Sequence, residues 1–429
     1  MARLPGPRKC PEFLGFVAIC AAVVPITTVQ AEPLSLSGGL NSRFSDNVTL
    51  APSNETSDVE TRADLTLAHQ TDPGKCEAFT AANIGYGVWL DDTYDPENYA
   101  SLDFSGDCEL ARGLSWEVSD YLRDVTQNAR ASDTPDNRTR KNVFTTGPVY
   151  SLMLGQLDQL TVSAKYGNTE FSEPGNTDSE RYIGRAGWNH TFSPSLSGGL
   201  QVSTNRADLD TGVEIDTDTA SVLFSKSWQA TRFSGSLGVS QLESRFGGNT
   251  QTSEGVVGNF SLERDINPVT QAYIRASREL TDQTSDFDIR FGDVVFNLSQ
   301  TTAVEVTAID AGFARQFSDA SRINVGVFAN RSDYLSTDEV EDSFGLSVNY
   351  SRTITALLSL QTRGSYRYRT FDSDGVNDST YRADIGLVYE LTSDLSLNGR
   401  VGHTARDSDL GASEYQENWI SLGLGYQFF

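Results

Sequence analysis

Apolar and polar residues alternate along the chain in segments of about ten residues, from near residue 32 to the C-terminus. In 380–390, Tyr381, Ala383, Ile385, Leu387 and Tyr389 form one set, with Arg382, Asp384, Gly386 and Glu390 in the other. In 358–369, Leu358, Leu360, Tyr366 and Tyr368 oppose Arg363, Arg367 and Arg369, and in 344–350, Phe344, Leu346, Val348 and Tyr350 oppose Gly345, Ser347 and Asn349. A period of two puts each set on one face of a sheet. Short turns separate the segments at Asp72-Pro73-Gly74, Ala111-Arg112-Gly113, Gly155-Gln156, Ser193-Pro194-Ser195, Gln229-Ala230, Asn267-Pro268, Ser318-Asp319, Thr353-Ile354 and Thr392-Ser393-Asp394. Longer acidic connections fall near 46–58, 91–98, 126–140, 170–180, 206–218, 244–252, 281–303, 335–342, 371–379 and 406–414. Nine turns and ten connections predict 20 antiparallel strands, within a range of 18 to 22, with both ends on one side. The pattern is weakest over 281–303, where Val294-Val295-Phe296 marks an inserted hairpin or a loop folded into the interior.

About 20 one-sided strands would enclose too large an interior for a sandwich. Closed as an up-and-down barrel with the apolar face outward, they leave no open edge, as a bilayer requires. Trp116, Trp188, Trp228, Tyr350 and Tyr389 lie near strand ends and suit interfacial girdles. Composition agrees: the chain is 38% hydrophobic and 21% charged. Only its N-terminus approaches the apolar run of about 20 residues that a membrane helix needs. That run, Phe13 to Pro25, follows Arg3, Arg8 and Lys9 and precedes Val29-Gln30-Ala31, so residues 1–31 read as a signal peptide. Ile19 beside Cys20 disfavours a lipoprotein site. Cleavage leaves residues 32–429 as the barrel, with 30 basic and 57 acidic residues and a net charge of −27. This balance disfavours nucleic acid as a partner and leaves outer-membrane lipid as the expected surroundings. A first strand so close to the cleavage site leaves no room for an N-terminal plug domain.

The remaining chemistry points to a conduit rather than an enzyme. His69, His190 and His403 are far apart, and no metal-ligand spacing or cofactor motif is present. His403, near Asp407 and Asp409, is the only enzyme candidate and lacks a nucleophile, so no catalytic residue is assigned. Asp208/Asp210, Asp216/Asp218, Asp372/Asp374 and Asp407/Asp409 form Asp-x-Asp pairs, but none extends into a calcium loop. Positive charge is nearly all arginine, and Arg181, Arg185, Arg275, Arg363, Arg367, Arg369, Arg382 and Arg400 fall on the inward phase with Asp384. They are expected to line the lumen, either orienting an anionic or sugar-rich solute or forming an Arg–carboxylate ladder. Folding 76–110 about residue 92 places Cys76 opposite Cys108, Ala78 opposite Gly106 and Ala82 opposite Leu102. A cross-strand disulfide is therefore expected at the turn-side end of this hairpin.

The last segment, Asn418–Phe429, alternates Ile420, Leu422, Leu424, Tyr426 and Phe428 with small and polar residues. It resembles the C-terminal signal of bacterial outer-membrane barrels, which implies recognition of Tyr426, Phe428 and Phe429 by the barrel-assembly machinery. It departs from the usual pattern in that Phe429 lies one residue beyond the apolar phase. Ser45-Asp46-Asn47-Val48-Thr49-Leu50-Ala51-Pro52 resembles the Asp-Asn-Val-x-Leu turn of the β-barrel porin 2 type, a family found with exopolysaccharide and exosortase-type systems. The resemblance runs loosely over the whole mature chain. It implies an outer-membrane channel for polysaccharide export or surface assembly, with polysaccharide and periplasmic export components as partners. A structural or adhesive closed barrel, a general diffusion porin and an outer-membrane enzyme are the other classes considered.

Overall fold

The computed structural model describes residues 34–285 and 303–429. Residues 1–31, read above as a signal peptide, and most of 281–303 lie outside the described residues. Twenty strands follow one another: β1 (Ser35–Ser45), β2 (Asp58–Gln70), β3 (Cys76–Trp89), β4 (Glu97–Ala111), β5 (Leu114–Thr126), β6 (Arg138–Met153), β7 (Asp158–Phe171), β8 (Ser179–Ser193), β9 (Leu196–Leu209) and β10 (Glu214–Ser227). The second half comprises β11 (Thr231–Phe246), β12 (Asn249–Asn267), β13 (Thr270–Thr281), β14 (Val304–Gln316), β15 (Ser321–Tyr334), β16 (Glu339–Thr355), β17 (Leu358–Phe371), β18 (Val376–Glu390), β19 (Leu395–Ser408) and β20 (Tyr415–Gln427). Each strand pairs antiparallel with the next, and β20 returns to β1 from Ser37↔Gln427 to Ser45↔Trp419. The sheet therefore closes as the alternation predicts.

The connections are shorter than the sequence pattern placed them. Of 206–218 only 210–213 lies outside strand, and of 244–252 only Gly247 and Gly248, both at positive φ. Spanning a bilayer takes about 9–11 residues per strand, whereas these strands run from 11 to 19 residues. The polar excess continues as paired ladder above the membrane, so Asp208, Asp216, Asp218, Asp378 and Asp407 stand on strands rather than loops. The turn expected at Thr353-Ile354 lies at 356–357, just after an irregularity between Thr353 and Thr355.

The outer wall carries the apolar phase, with Leu200, Val202, Leu237, Val239, Ile385 and Leu422 all exposed. The five expected girdle residues all lie toward the short-turn side. A second aromatic set, Phe44, Tyr86, Tyr182, Phe344, Tyr368 and Tyr381, stands exposed toward the other end. The chain thus presents the two aromatic levels that flank a hydrocarbon belt. At the C-terminus, Phe428 N donates to Leu36 O and Leu36 N to Phe429 O, while the Tyr426 and Phe428 rings meet edge to face at 5.0 Å.

Cys76 pairs with Cys108 in register, with Ala78↔Gly106 and Ala82↔Leu102 alongside, and the two sulfurs are bonded. The disulfide lies at the open end of the β3–β4 hairpin, away from its own connection and beside the short turns 71–75 and 112–113. A thiol reagent should label neither cysteine until reductant is added; labelling of both in the unreduced protein would overturn the pairing.

Two seams interrupt the wall. The β4–β5 ladder stops at Leu102↔Leu122 although β5 runs on to Thr126, paired with β6 alone. The β12–β13 ladder stops at Gly258↔Arg278, leaving 249–257 without a partner on β13. Arginines cover some of the carbonyls so freed: Arg123 donates to Leu102 O (3.1 Å), Arg140 to Asn98 O (2.5 Å) and Arg278 to Val256 O (3.1 Å). At each seam the departing strand leads into a segment that enters the lumen.

Candidate functional site

The first such segment is the β5–β6 connection, 127–137. Its ends are laced together: Gln127 N donates to Asn137 O (2.8 Å), and Asn137 Nδ2 donates to Asn128 O and Ser132 O (both 2.9 Å). Its tip docks against the far wall. Ala129 packs with Phe371 and Val376. Arg130 reaches Asp374 (2.5 Å) and Glu339 (2.7 Å) and lies over the Phe371 ring at 4.5 Å. Wall arginines hold the tip's carbonyls. Arg369 donates to Ala129 O (2.9 Å), and Arg406 donates to Ala131 O (2.6 Å) and Arg130 O (2.9 Å) while pairing with Asp378 (2.6 Å). Charge-assisted bonds of this kind are the strong class.

The second segment, 282–285, leaves β13 and crosses to β6–β8. Arg181 pairs with Asp282 (2.7 Å), both almost fully buried, and Arg181 also donates to Thr284 Oγ1. Lys141, wholly buried, donates to Gln283 O (2.8 Å) and Ser285 O (2.5 Å). Burial pushes the Asp282 carboxyl up, but the Arg181 charge and hydrogen bonds from Arg181 and Thr284 outweigh it and hold it below the usual range.

Around the first segment lie two lumen spaces of about 470 and 300 Å³. Asp133, Arg138, Arg382 and Tyr415 line both, so they stand on the partition. Asp133 accepts from Arg138 Nε at 3.0 Å and faces Arg382 at 3.7 Å. Burial raises its carboxyl, yet Arg138, Arg382 and Arg367 together hold it low.

The lumen wall repeats one arrangement four times. An aromatic ring lies across a neighbouring-strand glycine, where a Cβ would overlap or crowd the ring, and a guanidinium stands over the ring. The sets are Gly87, Tyr99 and Arg62 (3.9 Å to the ring centre), Gly312, Tyr273 and Arg275 (4.5 Å), Gly345, Phe328 and Arg367 (5.6 Å), and Gly402, Trp419 and Arg43 (5.0 Å). Cation–π contact fixes each guanidinium while leaving N–H edges available for bonding.

The arginines named from sequence separate into distinct surroundings. Arg181 serves the 282–285 dock, and Arg400 pairs with Asp384 at 2.7 Å and donates to Gln361. Arg185 lines a further space, beside Thr145, Ser203 and Ser240. Arg275 stands over Tyr273, while Arg367, Arg369 and Arg382 line the 470 Å³ space together. Arg363 stands opposite Asp384 on β18, exposed. Arg43, Arg62, Arg138 and Arg406 join the lumen set unforeseen. Arg406 shares the parity of Arg400 on β19, so the same alternation would have found it. Of the interior segment expected within 281–303, the described part (282–285) enters the lumen, whereas 127–137, expected as an ordinary loop, enters as well. Three of the Asp-x-Asp residues serve as arginine partners, Asp216 with Arg206 and Arg245, Asp218 with Arg206, and Asp374 with Arg130, while Asp409 accepts from Asn377. Among the described residues no group of three or more His, Cys, Asp or Glu could hold a metal. His403 meets Asn418 at 2.8 Å on the outward phase of β19.

A closed 20-strand barrel with an apolar exterior, two aromatic levels and a polar, loop-narrowed interior defines an outer-membrane β-barrel with a channel-like fold. The family described as "Putative beta-barrel porin 2" matches residues 338–428, the last five strands. No curated protein matches the chain by sequence. Solved structures similar in overall shape include the siderophore receptor PiuA from Acinetobacter baumannii (9% identity, 94% of this chain and 82% of that one, TM-score 0.46). They also include the siderophore receptor PirA from Pseudomonas aeruginosa (11%, 94% and 81%, 0.44) and OccK2 (OpdF) from Pseudomonas aeruginosa (11%, 93% and 99%, 0.39).

Proposed function

We propose that the protein is a passive outer-membrane conduit for an acidic polysaccharide or its fragments, serving exopolysaccharide export or surface assembly. The observation that carries this reading is the narrowing of the lumen by 127–137 beside wall-anchored arginines and aromatic rings. Guanidinium edges bond carboxylates, and ring faces pack on sugar rings, so such a wall suits a charged saccharide better than a neutral or apolar solute. The polysaccharide link follows the family resemblance of the β1–β2 connection and the C-terminal strand.

Planar-bilayer recording tests it. Steady conductance is expected, with block by a polyuronate and little block by a neutral glucan of equal length. A barrel with no steady conductance would favour the structural or adhesive class. Equal indifference to both polymers would favour a general diffusion porin.

A further inference from the structure

The 470 Å³ space holds an imbalance that the barrel's own ion pairs leave unresolved. Arg138, Arg367, Arg369, Arg382 and Arg406 line it. Of its carboxylates, Asp378 is taken by Arg406 (2.6 Å), Asp124 by Arg140 (2.9 Å), and Asp310 stands opposite Arg275 on β13. Arg369 is spent on the Ala129 carbonyl. Arg367 has no carboxylate within ion-pair distance among the described residues and is steadied by the Phe328 ring. Arg138 and Arg382 share one carboxylate, Asp133, and Arg382 remains about half exposed at 3.7 Å from it. Asp133 belongs to the inward segment rather than to the wall, so the carboxylate shared by Arg138 and Arg382 is carried by the 127–137 connection. The charge of Arg138, Arg382 and Arg367 outweighs burial and keeps Asp133 ionised, which marks the position as one that favours an anion. Tyr273 and Phe328, flat over Gly312 and Gly345, line the same space.

We infer that Arg138, Arg367 and Arg382 form a carboxylate-binding site in which Asp133 is a built-in occupant, displaced by the carboxylate of a hexuronate unit whose ring lies against Tyr273 and Phe328. This deepens the conduit reading and rests on it for the solute's presence in the lumen. Displacement requires no bond chemistry: one carboxylate replaces another at the guanidinium edges, and the freed Asp133 side chain takes up water. A tethered competitor acts at an effective concentration of about millimolar or more. The site is therefore weak while Asp133 is in place, which suits a solute that must leave again. Exchange also loosens the partition, because Asp133 no longer ties 127–137 to Arg382.

The test is calorimetric titration of the full-length refolded barrel in detergent with oligogalacturonate, using a neutral glucan as control. Folding of each variant is checked by heat-modifiable gel migration. Asp133→Asn should tighten oligogalacturonate binding by about tenfold or more, the competitor having been removed. Arg367→Gln in that background should abolish the gain, and Phe328→Ala should weaken binding of the oligomer more than that of free acetate. Unchanged affinity in folded Asp133→Asn, or an equal gain for the neutral glucan, would overturn the site. Conductance of the same samples separates the two ideas. A conducting barrel without the Asp133→Asn gain leaves the conduit and removes the site. A non-conducting barrel that shows the gain leaves the site and removes the conduit.

Discussion

Replacing residues 129–135 with a Gly-Gly link should raise single-channel conductance several-fold and leave the barrel folded. The segment's ends already meet through the Gln127–Asn137 hydrogen bond, so the excision shortens a bridge that is closed at its base. What it removes is the partition between the two lumen spaces, together with the Arg130 contacts to Asp374 and Glu339. The wall ladders β5–β6 and β17–β19 do not depend on it. Arg406 keeps Asp378 as its partner, so no buried charge of that pair is orphaned. Unchanged conductance in a folded variant would mean that the narrowing lies elsewhere. A milder version, Arg130→Ala, should give an intermediate, noisier conductance, because partly exposed ion pairs contribute only about 0–1 kcal/mol each.

Asp282→Ala should release 282–285 from β6–β8. The Arg181–Asp282 pair is almost fully buried, and removing one partner of such a pair costs about 3–5 kcal/mol because the other charge is left uncompensated. The cost need not unfold the barrel, since Asp282 lies beyond the last residue of β13 and the segment can leave the lumen as a unit. A spin label carried at Ser285→Cys should give an immobilised spectrum in the parent and a sharpened one with Asp282→Ala. Acid should do the same. The folded Asp282 carboxyl is held below its unfolded value of about 3.9, so its stabilisation is complete above that pH and lost as pH falls through the lower, folded value. The spectrum should therefore stay constant from neutrality down to about pH 4 and sharpen only below it. An immobile label in Asp282→Ala would show that Lys141 and the backbone contacts suffice.

Both predictions concern segments whose inward course is not written in local sequence. The strands were legible because a period of two survives burial on one side only: the set Tyr381, Ala383, Ile385, Leu387 and Tyr389 reads the same in sequence and on the wall. The Cys76–Cys108 register was legible because apolar phases on two successive strands fix their alignment. Residues 127–137 are as polar as any exterior loop. What draws them inward is a set of partners more than 200 positions away, Glu339, Asp374, Arg369 and Arg406, which alternation within a strand does not connect. The shared phase of Arg367, Arg369 and Arg382 was legible by parity, whereas Arg43, Arg62 and Arg138 were missed. The grouping of the lumen arginines was not legible, since the β13–β18 wall and the inserted segment meet only in the closed barrel.

The two seams have a consequence for how the molecule sits in its membrane. Hydrocarbon cannot lie against backbone groups that lack partners. Where β4 parts from β5 and β12 parts from β13, the covering groups are guanidiniums, those of Arg123, Arg140 and Arg278. On those two sides the ladders between neighbouring strands end at the rows of Leu102 and Gly258. Each of these guanidiniums is itself neutralised by a carboxylate, Arg123 by Asp103, Arg140 by Asp124 and Arg278 by Glu305, so the seams are roofed by ion pairs and stand as polar notches against which hydrocarbon cannot pack.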